Sequence, residues 1–105
     1  MSRWQNDCNA CRRELQALVD GTAGGLRDIQ TKHSRASSDD RLIADEMSDF
    51  VNGQLGKVEQ AERVWIRPHA WKEGPRRMAP MLEELANARQ RIIEIAKGLI
   101  PSIEN

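Results

Sequence analysis

Aromatic side chains are scarce in this chain: three tryptophans, one phenylalanine and no tyrosine make up 4% of 105 residues. Little ring bulk is available to fill a core, although the 39% hydrophobic content stays well above that of a disordered chain. Net charge is also missing. Lys plus Arg and Asp plus Glu both number 16, so long-range attraction of the whole molecule to nucleic acid or an anionic membrane is not supported. Two cysteines three positions apart, Cys8 and Cys11, make no disulfide framework. The apolar stretch near Ile92–Ile100 is broken by Glu94, Lys97 and Gly98 and is far too short for a bilayer. The opening Met1–Asp7 has no apolar run behind its charge, so no secretory signal is expected and the cytoplasm fits best.

What the chain does have is helical spacing. Trp4, Cys8, Cys11, Leu15, Leu18, Thr22, Leu26, Ile29 and His33 recur at steps of three and four, as the buried stripe of a helix must. Ile43, Met47, Phe50, Leu55, Val58, Ala61 and Trp65 form a second stripe, and Met78, Met81, Leu85, Ala88, Ile92, Ile95 and Leu99 a third. The fold class that follows is all-α: an elongated antiparallel bundle of three helices over about 4–33, 39–66 and 80–97, in a single domain 1–105. Long, thin stripes with little aromatic bulk are easier to bury between chains than within one small monomer, so a homodimer is expected.

Three glycines, Gly21, Gly24 and Gly25, fall inside the first stripe. Each costs roughly 0.8–1 kcal/mol against alanine in a helix. The stripe nevertheless keeps its phase from Leu18 to Leu26, which favours one long, weakened helix over a fourth helix starting at Gly24–Gly25. Gly21 and Gly25, one turn apart, and Gly53 and Gly56 later on are placed as if a neighbouring helix passes close. Ser37 or Ser38 can cap the second helix, with Asp39 and Asp40 matched to its positive end. Pro68 ends that helix, and Pro80 suits the first turn of the third, with Gly98 as its stop, Leu99 packing back and Pro101 closing the structure.

The stretch 67–79 is read as a long connection, because three prolines and Gly74 within it or at its edge interrupt helical geometry. Chemistry concentrates there. Arg63, Arg67, Lys72, Arg76 and Arg77 face the single acid Glu73, with Trp65, His69 and Trp71 interleaved. Tryptophan and arginine carry interface energy out of proportion to their number, so these cations with Trp65, His69 and Trp71 are the candidate partner-binding residues. The plainer alternative has Trp65 and Trp71 pinning the connection to the bundle and the arginines solvated or paired. Nucleic-acid binding by the same segment is a further alternative, with arginine on phosphate and tryptophan on a splayed base. The zero net charge and the absence of a recognition-helix motif weigh against it.

Cys8 and Cys11 lie on the first stripe and read as small buried hydrophobes. A zinc site through them is the alternative, but it needs two more ligands, and His33 and His69 lack the spacing of a finger. Carboxylate pairs such as Asp39–Asp40, Asp45–Glu46 and Glu83–Glu84 point about 100° apart on a helix and read as caps or solvated face. No Gly-rich phosphate cradle or nucleophile elbow stands near His33 or His69, so no catalytic residue, metal or cofactor is expected.

Taken together, the three stripes, the glycine-bearing helices and the arginine–tryptophan segment resemble, in size and layout over the whole chain, small all-helical anti-activators that bind bacterial transcription regulators, quorum-sensing anti-activators among them. Phage inhibitors and immunity proteins share this layout. The resemblance implies a dimeric inhibitor that occludes the dimerisation or ligand-binding domain of a regulator. It assigns no individual residue.

Overall fold

A computed structural model describes residues 1–36 and 39–100, with the side chains of 35 and 36 excepted. The described residues are helical almost throughout and include no strand. The expected count of three separate helices is corrected. There are two helical runs, of which the second is long and bent. The first, α1 (Arg3–Ala36), passes Gly21, Gly24 and Gly25 without a break, so the four-helix alternative falls. The second begins with α2 (Asp40–Ala61), passes through a π-helical turn (Glu62–Ile66) and a 3-10 turn (Arg67–His69), and continues as α3 (Ala70–Leu99).

Asp39 opens the second run: its Oδ1 accepts from the Arg41 N–H at 2.8 Å, satisfying a donor that the first helical turn leaves unpaired. Ser37 and Ser38, the other capping candidates, lie outside the described residues, as does Pro101. At the far end the helix does not stop at Gly98. It reaches Leu99, and Ile100 leaves helical geometry at φ −80° and ψ 124°. Leu99 and Ile100 pack against the core.

The segment 67–79 is helical where the sequence predicts an irregular connection. The α-helix of the second run ends at Ala61, five residues before the expected 66. The Arg67 N–H then donates to Glu62 O, five residues back, widening the turn. This wider turn delivers Pro68 to the start of the 3-10 turn, where its missing N–H is least costly. Gly74, at φ +79° and ψ 166°, is the one non-helical residue inside α3. Pro75 therefore takes the first-turn position expected for Pro80, and Pro80 sits deeper in the helix.

Cross-links give the directions of the arms. His33 meets Glu46, and Gln54 reaches the Leu18 carbonyl, so α2 runs back along α1. Arg12 pairs with Glu84 at 2.9 Å and Gln30 donates to the Leu99 carbonyl at 3.0 Å, so α3 runs parallel to α1 rather than opposed to it. The molecule measures 53 × 26 × 17 Å, and its long axis is that of α1, about 51 Å for 34 residues at 1.5 Å each.

The stripes close on one another within one copy, which removes the sequence's physical reason for requiring a second. Trp4, Cys8, Cys11, Leu15, Val19 and Leu26 are buried against Met47, Val51 and Val58 and against Met81, Leu85 and Ile92. On α2 the buried face keeps Met47, Val58 and Ala61 of the expected stripe and takes Ala44, Val51 and Gln54 in place of Ile43, Phe50 and Leu55. It runs Ala44, Met47, Val51, Gln54, Val58, Ala61, leaving Ile43, Phe50, Leu55 and Trp65 partly buried at its flank. The steps of three and four are regular only when the polar Gln54 is counted. Its Nε2 donates to Leu18 O at 3.1 Å and lies 3.5 Å from Thr22 Oγ1, while Thr22 Oγ1 itself donates to Leu18 O at 2.7 Å. The bond from Gln54 ties α2 to one level of α1, since sliding by a turn would strand the buried Gln54 amide, while Thr22 keeps its partner on its own helix.

Both cysteines are buried in this seam, and burial pushes their thiols up, that of Cys11 to about 12. They pack as apolar groups, with no thiolate to offer at neutral pH. Of the glycines expected at close approaches, only Gly25 is at one: a side chain there would meet the ring of Phe50. Gly21, Gly53 and Gly56 face open space. Among the described residues no helix is long and apolar enough to cross a membrane.

Candidate protein-contact site at the bend

The bend of the second run lies against the first turns of α1. Trp4, buried at the head of the α1 stripe, meets the His69 ring edge to face, centroids 5.1 Å apart at 62°. One turn along α1 from Trp4, Asp7 accepts from His69 Nε2 at 2.7 Å. The Asp7 contact spans 62 residues of sequence, and both fasten the 3-10 turn to α1. Ile66, fully buried, anchors the π turn beneath it.

Of the eight residues singled out in the sequence, two tryptophans share a name and little else. Trp65 is half-buried and packs against the core, with its Nε1 donor enclosed and unpaired among the described residues. It acts as the pin that the plainer reading proposed. Trp71 is 85% exposed, so it pins nothing. His69 is mostly enclosed by Trp4 and Asp7 and serves as a brace. Arg63 pairs with Glu59 at 2.9 Å, Arg67 with Glu62 at 3.1 Å and Arg77 with Glu73 at 3.3 Å. The Glu59 carboxyl is lowered by the hydrogen bond from Arg63. Lys72 and Arg76 are exposed and enter no ion pair among the described residues.

A cleft of about 420 Å³ opens between the bend and the start of α1. Trp4, Val64, Pro68 and Trp71 supply its apolar wall, Asp7, His69 and Glu73 its polar floor, and Ser2, Arg3 and Lys72 its rim. Val64 is itself half-exposed, so a second apolar group stands beside Trp71. Ser2, Arg3, Trp4, Asp7 and Val64 were not selected from the sequence. Trp4 was visible there as the head of a stripe. Ser2, Arg3 and Asp7 carry no local signal, because only the return of the chain to the α1 N-terminus brings them to Trp71.

His33 lies at the other end of α1, held by Glu46, whose carboxyl is lowered by its hydrogen bonds from His33 and Lys32. The two histidines cannot converge. Among the described residues no three His, Cys, Asp or Glu side chains gather to hold a metal ion, so Cys8 and Cys11 find no further ligands there for the zinc alternative.

No family model, curated protein or solved structure matches the chain.

Proposed function

We propose that the chain is a non-enzymatic, protein-binding regulator acting in the cytoplasm, which inhibits its partner by covering a surface that the partner needs. The partner class is a transcription regulator of the kind bound by the anti-activators that the layout resembles, and the covered surface is its dimerisation or ligand-binding face. The observation that carries the reading is Trp71, held out into solvent beside Val64 on a braced turn. A rigid, exposed indole at the mouth of a cleft loses little entropy on binding and buries a large apolar area.

Replacing Trp71 with alanine is therefore expected to abolish capture of the cellular partner in a pull-down, while helix content by circular dichroism and the thermal midpoint stay nearly unchanged. A collapse of the fold, or capture that persists undiminished, would remove Trp71 from the contact. The nucleic-acid alternative is weakened by two features. Three of the arginines it would need are engaged with glutamates, and carboxylates of Asp7 and Glu73 line the cleft that phosphate would approach.

Pairing of two copies remains part of the proposal. The surface available to it is an open groove of about 660 Å³ between α1 and α2, lined by Ala17, Leu18, Gly21, Gly25, Phe50 and Gln54 among others. Sedimentation at micromolar concentration is expected to give twice the chain mass. A single-chain mass at every concentration would leave inhibition to a monomer.

A further inference from the structure

We infer that the bend selects an acidic protein segment carrying an apolar anchor. This rests on the reading of Trp71 as the contact residue and adds the chemistry of what it contacts. At this end of the molecule the two signs of charge are sorted by depth. The side chains of Asp7, Glu62 and Glu73 are only 20, 15 and 11% exposed; Asp7 is answered by the enclosed His69, Glu62 by Arg67 and Arg89, and Glu73 by Arg77. The cations lie outermost. Arg67 and Arg77 keep 56 and 64% of their side chains in solvent while paired. Arg3 and Lys72, which border the cleft, enter no ion pair among the described residues.

A partner approaching Trp71 therefore meets exposed cations before it meets the carboxylates of Asp7, Glu62 and Glu73, although the chain as a whole carries no net charge. Complementarity asks for acids around an apolar group that can seat against Trp71 and Val64. A helix with leucine or phenylalanine on one face and glutamate or aspartate at its flanks supplies both. Phosphate-rich partners fit less well. The cleft floor holds Asp7 and Glu73, which a short carboxylate side chain at the rim can avoid and a polyphosphate lying along the groove cannot.

The test uses the full chain and four fluorescent probes: an amphipathic peptide with leucine and phenylalanine on one face and glutamate on the other, its lysine counterpart, single-stranded oligothymidylate, and phosphatidylcholine vesicles containing phosphatidylserine. The glutamate peptide is expected to bind at least tenfold more tightly than the other three. Arg3→Glu with Lys72→Glu is expected to weaken it at least tenfold without changing the circular-dichroism spectrum. Equal binding of the two peptides, no binding of the glutamate peptide, or preference for oligothymidylate or vesicles would overturn the inference. The same charge reversal in the pull-down separates it from the reading beneath it. If Trp71→Ala abolishes capture and the charge reversal does not, the contact surface stands and the acidic partner falls. If Trp71→Ala has no effect, the surface itself falls.

Discussion

Gly74→Ala is expected to destabilise the fold by about 1–3 kcal/mol, the usual cost of holding an L-residue in a region of backbone space that is essentially glycine's alone. The position has φ +79° and ψ 166°, and nothing lies within 4 Å of where a Cβ would stand. Steric crowding by neighbours is thus removed from the account, and the whole effect is backbone strain. Pro75 makes the residue before it avoid helical geometry, so the chain cannot relieve the strain by continuing α3 smoothly through position 74. Relief must come from re-aiming the turn that carries Trp71 and Lys72 relative to the rest of α3. Urea unfolding would measure the loss, and a D-alanine at the same place, introduced by ligation, is expected to recover it because a D-residue prefers positive φ. Failure of the D-residue to recover stability would mean that strain at Gly74 is not the cause. Against a total of about 5–15 kcal/mol for a domain of this kind, the loss is large enough to change the populated fraction of the bend. Partner binding should therefore weaken in Gly74→Ala together with stability.

The same turn shows how much of the molecule could be read from its residues. The spacing from Trp4 to Ile29 carries α1 correctly through three glycines, since helical phase survives a locally weak propensity. The third stripe likewise names Met78, Met81, Leu85, Ala88 and Ile92, all buried. The second stripe names Met47, Val58 and Ala61, which are buried, and misses Ala44, Val51 and Gln54 by one residue each, the last because Gln54 is polar. Leaving it out forces a step of five from Phe50 to Leu55, and including it restores the regular seam. What satisfies Gln54 is the Leu18 carbonyl and Thr22 on another helix, information that no local window contains. Proline punctuation misleads in a different way. Pro68 and Pro75 each stand at the opening of a helical turn, where a missing N–H costs little. A cluster that looks like a broken connection is a bent helix, and the π turn at Glu62–Ile66 absorbs the mismatch between its arms. The candidate contact site was visible as a concentration of arginine and tryptophan. The division of labour between Trp65 and Trp71, and the sorting of acids inward and cations outward, depend on Asp7 and Trp4 arriving from the far end of the sequence.

Glycines within the helices provide the second large effect, with both signs. Gly21, Gly24, Gly53 and Gly56 are helical, and at each the space a Cβ would occupy is open to at least 4 Å. Alanine at each is expected to stabilise the fold by about 0.5–1 kcal/mol, by removing freedom from the unfolded chain and adding helix propensity. The four changes together should add about 2–4 kcal/mol if they act independently. Gly25 reverses the sign. A Cβ there would lie 2.7 and 2.9 Å from Phe50 Cε2 and Cε1, and closer still to Cζ, so the ring must leave its place between α1 and α2. Overpacking of this kind costs about 1–3 kcal/mol, which outweighs the propensity gain. Gly25→Ala is therefore expected to destabilise, and Phe50→Leu in the same chain to recover most of the loss by shortening the side chain that clashes. Urea melts with an unchanged slope would establish each sign. The informative exception is Gly21, which lines the groove offered to a second copy. If Gly21→Ala raises stability at low chain concentration but lowers it at high concentration, the open face at Gly21 is occupied by a partner subunit. If it stabilises equally at all concentrations, that face is bare and pairing through this groove is excluded.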